Sequence, residues 1–307
     1  MRIILDTDLA MGTPGSDIDD GFALALAVAD PELTIDFVTT VSGNTDVRSA
    51  TVLTRELLYR LDVFVPVHQG AAGPIMDPWR DLPAAESRAE DLPRTGRAAQ
   101  LMVDRVVANP GEITIVAIGP FTNLATAMLL EPSLAQAAAG IVVMGGYFTG
   151  HMRDLAAPGD FNVWADPEAA AIVLASGARL RMVGLDVTYQ VRMVAEEAQR
   201  LARSAGAFAP FAGECALGWI ETLRERYPDS AHHGSFPLHD PLAVAAVAHP
   251  ELLTWEPAHV EVALSGVARG VTIAGPPGDG RPANAEIATG VRADAFLEYF
   301  LEHMESL

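Results

Sequence analysis

The sequence predicts an α/β fold: a single domain over residues 1–307 with a largely parallel, open, Rossmann-like sheet, helices on both faces and a small C-terminal β hairpin. Three observations carry this. Short apolar runs alternate with helix-like segments, the pattern of strands buried on both faces and joined by crossover helices. Half of the 307 residues are apolar, ample for a large core. Neither an internal repeat nor a linker-like stretch divides the chain.

The elements follow in order. Ile3–Leu5 reads as the first strand and Gly21–Ala29 as the first helix. Leu33–Val41 is the second strand, Asp46–Leu61 the second helix and Val63–Val67 the third strand. Ile113–Ile118, Ile141–Met144 and Leu180–Leu185 read as further buried strands. Three stretches break the rhythm. Gly70–Gly96, rich in Pro, Ala and charge, reads as a long loop; Gly145–Asp160 is irregular; Ala195–Arg226 is mainly helical. His259–Leu264 and Val267–Ile273 read as the hairpin, followed by a loop at Gly275–Pro282 and a terminal helix at Ala293–Glu305. In open α/β sheets, ligands bind beyond the carboxyl ends of the strands. Candidate residues belong there.

Composition excludes several functions. The formal charge is −20, and an acidic surface repels polymeric nucleic acid and anionic membranes. A neutral small molecule or a bound cation fits better. All 20 basic residues are arginine. Without lysine there is no P-loop lysine, no Schiff base and no lysine-assisted phosphoryl transfer. Cys215 is the only cysteine, which rules out an intrachain disulfide and a Cys-based zinc cluster. The N-terminal apolar run is too short for a signal peptide, and no stretch approaches the ~20 apolar residues of a membrane span. A soluble, cytoplasmic protein is expected.

The chemistry-bearing residues cluster. The first strand ends in Asp6-Thr7-Asp8, and a loop leads to Asp17-Ile18-Asp19-Asp20 at a helix start. One such acid is explained by helix capping. Four or five converging carboxylates repel one another, and burial worsens this. A hard cation relieves it, and oxygen-only ligands favour calcium or magnesium. Far along the chain, Leu238-His239-Asp240-Pro241 precedes a helix, with Asp240 an N-cap candidate and Pro241 suited to the first helical position. An adjacent His-Asp pair can also set a proton donor beside a metal ligand.

At these residues the chain resembles the inosine–uridine nucleoside hydrolase family, over nearly its whole length. The blocks are Asp6-x-Asp8 with Asp19-Asp20, Thr39–Asn44, Ile118–Asn123, Val143–Gly146, Phe161–Ala170, Leu238–Pro241 and Arg269–Thr272. Each is weak alone, but seven in order are specific. The resemblance implies a nucleoside hydrolase-like fold and hydrolysis of the N-glycosidic bond of ribonucleosides to free base and ribose. It implies a calcium-bound water activated by an aspartate and an oxocarbenium-like transition state. It implies Ca2+ held by Asp8, Asp20, Asp240 and the Ile118 carbonyl, with Asp8 also the base. Asp19, Asn44 and Asn162 would hold the ribose, His239 would sit near the leaving base, and Asp6 would orient the ligands from behind. It implies a homodimer or homotetramer. Tyr227, at the expected end of a helix, is a second candidate for the leaving base. The alternative is a non-catalytic, calcium-dependent nucleoside- or ribose-binding paralogue. The strand Ile3–Asp8 also looks like the nucleophile strand of haloacid-dehalogenase-type phosphatases, but the missing lysine and the downstream motif order argue against that.

The chain departs from the family pattern in three places. Ten residues, Leu9–Ile18, separate Asp8 from Asp19, where the family usually has three. This turn-rich insert either projects over the pocket or bulges at the surface, and it makes Asp17 a rival ligand. Asp160 replaces the usual Glu before Phe161-Asn162, and Asp154 stands where many members have Asn. Two acids near the sugar's 5′ end favour nucleosides over nucleotides. The Gly70–Gly96 loop lacks the His-Gly pair of many members. Asp77, Trp79 and Arg80 are nearby candidates, with His68 too early. His232 and His233 read as part of an exposed, mobile loop, with a base-covering lid as an alternative. The base preference stays open.

Overall fold

The structure is a computed structural model, and it describes residues 1–76, 96–149, 158–228, 234–278 and 280–307. Residues 77–95, with Asp77, Trp79 and Arg80, lie outside the described residues, as do Asp154, His232 and His233.

The first half of the chain lays down β1 (Arg2–Thr7), α1 (Asp19–Ala29), β2 (Thr34–Thr40), α2 (Val47–Arg60) and β3 (Val67–Gln69). Next come α3 (Ala98–Val107), β4 (Ile113–Ala117), α4 (Thr122–Leu130), α5 (Leu134–Ala137) and β5 (Gly140–Met144). Then α6 (Phe161–Ala165), α7 (Pro167–Ala175), β6 (Leu180–Val183), α8 (Leu185–Thr188) and β7 (Arg192–Val194) follow. The last part holds α9 (Ala195–Ala202), α10 (Ala209–Arg226), β8 (Ser235–Pro237) and α11 (His239–Ala248). It ends with β9 (Leu253–Val262), β10 (Thr272–Gly275), β11 (Ala285–Val291) and α12 (Ala293–Glu305).

Nine strands form one sheet in the order β10-β9-β11-β6-β5-β4-β1-β2-β3. From β3 to β11 every pairing is parallel; β9 and β10 add an antiparallel edge. One face is buried under α1, α11 and α12 around Phe22, Phe236, Phe296 and Phe300. The other is buried under α3, α4 and α7 around Phe121, Leu124 and Val173. Both faces are covered, so the central strands are apolar throughout, as in Ile3-Ile4-Leu5.

The order also locates a switch. The chain leaves β1 to one side for β2 and β3, then returns to β4 on the other. In open sheets of this kind ligands bind at such a switch, beyond the carboxyl ends of β1 and β4. Asp6 pairs with Thr39 of β2 on one side and Ala117 of β4 on the other. The acid cluster starts there.

Three expectations need correction. The third strand covers Val67–Gln69 rather than Val63–Val67. Pro66, with no N–H to donate, lies just before it and only accepts, from Val38 N. The hairpin is β9 with β10, six residues earlier at its start than expected, and it is joined to the main sheet by β11, which lies between the expected loop and the terminal helix. Leu185 begins α8 instead of ending a strand. The short pair β7–β8 had no counterpart in the reading.

Candidate active site

β1 delivers Asp6 and Asp8 to the switch, α1 opens with Asp19 and Asp20, and α11 brings Asp240 from far along the chain. All five are buried: Asp6, Asp8 and Asp20 fully, Asp19 and Asp240 to within 4%. Asp19, Asp20 and Asp240 each present an oxygen within 4.8 Å of the others. The trio therefore includes Asp19, which was expected on the ribose, and leaves Asp8 as a neighbour. The helix start at His239, with Leu238 as the cap position, frees the Asp240 side chain from the capping role read for it.

Hydrogen bonds fix the carboxylates. Asp8 Oδ2 accepts from Asn44 N at 2.6 Å. Asn44 Nδ2 donates to Asp20 Oδ2 at 3.0 Å, and Thr7 Oγ1 donates to Asp20 Oδ1. Asp19 Oδ2 accepts from Asp240 N at 2.9 Å, tying α1 to α11. Two glycines make room for Asp8. A Cβ at Gly43 would lie 1.9 Å from Asp8 Oδ2, and one at Gly119 would lie 3.0 Å from Asp8 Oδ1. The Gly-Asn and Ile-Gly-Pro segments thus act through their smallest residue.

Among the described residues, no ion pair reaches Asp6, Asp8, Asp17, Asp19, Asp20 or Asp240. Burial, then the charge of Asp20, holds the Asp8 carboxyl well above the carboxylate range. Burial and the charges of Asp17 and Asp20 do the same to Asp19, and burial with the charge of Asp19 to Asp240. Burial raises Asp20 as well. Asp8 Oδ1 is sealed from solvent with no hydrogen-bond partner. An orphaned buried carboxylate oxygen inside an all-oxygen cluster is the donor set of a hard cation. The residues present fit a divalent metal.

The other candidates fall into place around this core. The Ile118 carbonyl accepts from Asn162 Nδ2 at 2.8 Å, and that amide also reaches Met144 O at 3.2 Å. Asp160 caps α6 by accepting from Val163 N at 3.1 Å, and burial pushes it up to about 6. Asp6 orients no neighbouring acid directly. Its Oδ1 accepts from Thr39 Oγ1 at 2.6 Å and Asn123 Nδ2 at 2.8 Å, and burial pushes it up to about 7. It clamps β2 and α4 beneath the site. Tyr227 follows α10 and is exposed. His68 packs on Phe37.

The insert is mostly folded inward, with Pro14 and Gly15 exposed and Ser16 Oγ donating to Asn44 O at 3.5 Å. Leu9, Ala10, Met11 and Ile18 are buried. Gly12 rests on Phe211, and Arg226 Nη2 donates to Gly15 O at 3.0 Å, pinning the loop to α10. Asp17 accepts from Ile18 N at 2.8 Å and lies against Asp19, outside the close trio. Burial pushes it up to about 6.

His239 begins α11 beside Asp240. Burial pushes its imidazole down to about 3, so it is neutral near pH 7. Sequence reading missed its neighbours. Nδ1 lies 2.6 Å from Thr188 Oγ1, and Tyr189 meets the ring edge-on at 5.3 Å. Tyr147 meets Tyr189 in turn, and the Asp160 charge reaches the Tyr189 phenol. No spacing signal links residues 188–189 to 239.

Comparison with known proteins decides the family. The family model for inosine-uridine preferring nucleoside hydrolase matches residues 3–298. The chain belongs to the inosine–uridine nucleoside hydrolase family. It is thus an enzyme of the N-glycosyl-cleaving glycosidase class. The non-specific ribonucleoside hydrolase RihC of Salmonella schwarzengrund (strain CVM19633) is 32% identical over 98% of this chain and 97% of its own length. The probable uridine nucleosidase 1 of Oryza sativa subsp. japonica is 35% identical over 89% of this chain and 84% of its own. Among solved structures, the purine-preferring ribonucleoside hydrolase from Gardnerella vaginalis superposes with a TM-score of 0.83 at 26% identity, covering 100% of this chain and 98% of that one. The plant nucleoside hydrolase PpNRh1 gives 0.83 at 27% identity, covering 100% and 99%. Among the described residues of this family member, no helix is long and apolar enough to cross a membrane.

Proposed function

We propose that this chain hydrolyses the N-glycosidic bond of ribonucleosides to free base and ribose at a calcium site formed by Asp8, Asp20, Asp240 and the Ile118 carbonyl, bordered by Asp19. The observation that carries this reading is the buried, uncompensated acid cluster with its orphaned Asp8 Oδ1. Several carboxylates and a backbone carbonyl suit calcium, which takes six to eight oxygens, better than magnesium, which keeps its waters. When bound, calcium supplies the positive charge that lowers the pKa of water and returns these acids to their ionised forms.

Asp8 is the proposed base. Its unpartnered Oδ1 is the atom free to take a proton from the attacking water. Asp19 and Asn44 hold ribose hydroxyls from one side, and Asp160 and Asn162 hold the sugar from the other. Their negative and dipolar groups favour the positive charge that builds on the ring as the bond opens. His239 meets the leaving base as a neutral hydrogen-bond donor, with Tyr227 as a further candidate beside it. Asp160 disfavours a 5′-phosphate by like-charge repulsion, so nucleosides are the substrates rather than nucleotides. The names of the Salmonella and rice relatives, a non-specific ribonucleoside hydrolase and a probable uridine nucleosidase, support this substrate class.

The test is a panel of purine and pyrimidine nucleosides, with uridine monophosphate alongside uridine, scored for free ribose with calcium and with chelator. Ribose release that needs calcium and spares the nucleotide is expected. Tight nucleoside binding without cleavage in calcium would overturn the hydrolytic reading in favour of a binding paralogue.

A further inference from the structure

The imidazole of His239 contacts a residue with no role in the site as described. Thr188 ends α8, is fully buried, and places Oγ1 2.6 Å from His239 Nδ1. Either atom can be the donor in principle, and the surroundings decide which one is. Among the described residues, the Thr188 hydroxyl has no other hydrogen-bond partner. If Nδ1 carried the hydrogen, the Thr188 hydroxyl hydrogen would point into a sealed interior with no acceptor. A buried donor left without an acceptor is costly. If Thr188 donates instead, both groups are satisfied: the hydroxyl gives its hydrogen, and Nδ1 accepts with its lone pair. A neutral imidazole then carries its single hydrogen on Nε2. That atom has no partner among the described residues and is not one of the polar atoms sealed from solvent. It is available to a ligand.

The same surroundings fix the ring plane. Tyr189, the next residue after Thr188, packs edge-on against the His239 ring at 73°, and Tyr147 packs edge-on against Tyr189 at 77°. The main chain is fixed from the other side, where Asp240 N donates to Asp19. The imidazole is therefore held at its backbone, its plane and one nitrogen, and among the described residues nothing engages Nε2.

We propose that Thr188 is a positioning residue: by donating to Nδ1 it locks His239 in the Nε2–H tautomer and aims that hydrogen at the leaving base. A neighbour that sets the tautomer of a working histidine is a common device. Thr188 touches neither sugar nor base in this proposal. It acts only through His239. The inference rests on the reading of His239 given above, and the test separates the two.

Two measurements decide it. The first is 15N NMR of histidine-labelled full-length protein at neutral pH, with the His239 signals assigned by difference against His239→Ala. The wild type should show Nδ1 unprotonated and Nε2 protonated. Thr188→Val should raise the Nδ1–H form, and Thr188→Ser should keep the wild-type pattern. A wild-type Nδ1 that carries the hydrogen, or a Thr188→Val tautomer identical to wild type, overturns the proposal whatever the activity.

The second compares inosine and uridine with p-nitrophenyl riboside, whose leaving group departs without help. Thr188→Val should lower kcat on the nucleosides about 10- to 100-fold, part of the roughly 100- to 10,000-fold that a positioned proton donor contributes, with little change in KM. The loss on the aryl riboside should be under about threefold, and Thr188→Ser should recover most of the nucleoside rate. Adding Thr188→Val to His239→Ala should cause no further loss. Equal losses on both substrate types would mean a merely structural role and overturn the proposal. Melting curves of each variant identify a folding defect, in which case Thr188→Ser alone carries the test: loss of the nucleoside rate with the fold intact would overturn it. Wild-type protein that cleaves neither substrate sinks the functional reading while leaving the tautomer result to stand or fall separately.

Discussion

The two ends of β1 and β2 treat buried acid in opposite ways. At the amino end, Asp36 is held between Arg2 and Arg105, each 2.7 Å away. Burial alone would raise its carboxyl, but the two guanidinium groups hold it below the ordinary value. At the carboxyl end, no described arginine pairs with Asp8, Asp19, Asp20 or Asp240, and burial drives each upward. The chain has 20 arginines to place. A permanently neutralised acid is a structural anchor, whereas acids left to repel one another in the interior must be relieved by protons or by a cation from outside.

Asp240→Asn strikes the uncompensated end most directly. Ribose release should fall by about 1000-fold or more, equivalent to ~4 kcal/mol of barrier, and calcium should no longer raise the melting midpoint. Near-normal rates in that variant would mean that the acid cluster is not the catalytic centre.

Chelation gives the next largest effect. A ligand at about 100 times its Kd adds ~2.7 kcal/mol, or roughly 5 °C for a chain of this size. Calcium should raise the wild-type midpoint by about that much, read by calorimetry. In chelator, Asp240→Asn should melt above wild type, because one member of the repelling set has lost its charge.

Acid and base should act oppositely at the two ends. Asp6 is raised from 3.8 to about 7, so between those values the folded protein holds a proton that the unfolded chain has released. Its contribution to stability therefore falls as pH rises from about 4 to 7. Asp36 is lowered, so its contribution is present above the unfolded value and is lost as pH falls through the folded one. Melting midpoints across pH 3–8 should show a shallower alkaline decline in Asp6→Asn and a shallower acid decline in Asp36→Asn. Unchanged slopes in both would mean that these acids titrate alike in folded and unfolded chains.

The smallest effect is that of Asp36→Asn at neutral pH. It removes a charge between two partly exposed arginines, and about 1–2 kcal/mol of stability should be lost in urea unfolding. Ribose release should not change, since Asp36 lies at the far end of the sheet. Loss of activity without loss of stability would tie the two ends together.

Much of this was legible in the chain. The strands around Ile3, Val38, Ile115, Val142 and Met182 declare themselves because burial on both faces demands continuous apolar runs. Asp6, Asp8, Asp19 and Asp20 are close in sequence, and chain geometry leaves them few ways to avoid one another. Asp240 was reachable only through the family resemblance, since nothing local ties it to β1. The course of Leu9–Ile18 was not legible. Its Gly, Pro and Ser suggest a surface turn, but Phe211 and Arg226 from α10 draw it inward. Nor was the strand Ala285–Val291, whose place between β9 and β6 depends on pairing with strands distant in sequence.

By itself, the sequence determined the kind of sheet, the carboxyl edge where chemistry would gather and the acids supplied to it. These follow from local periodicity and from the chemistry of side chains, which each residue carries wherever it goes. The tertiary structure alone decided that Asp19 joins Asp20 and Asp240, that Asp8 keeps an unpaired oxygen, and that Thr188 faces His239. Contacts between elements far apart in the chain are set by how whole faces pack, and no single segment encodes them.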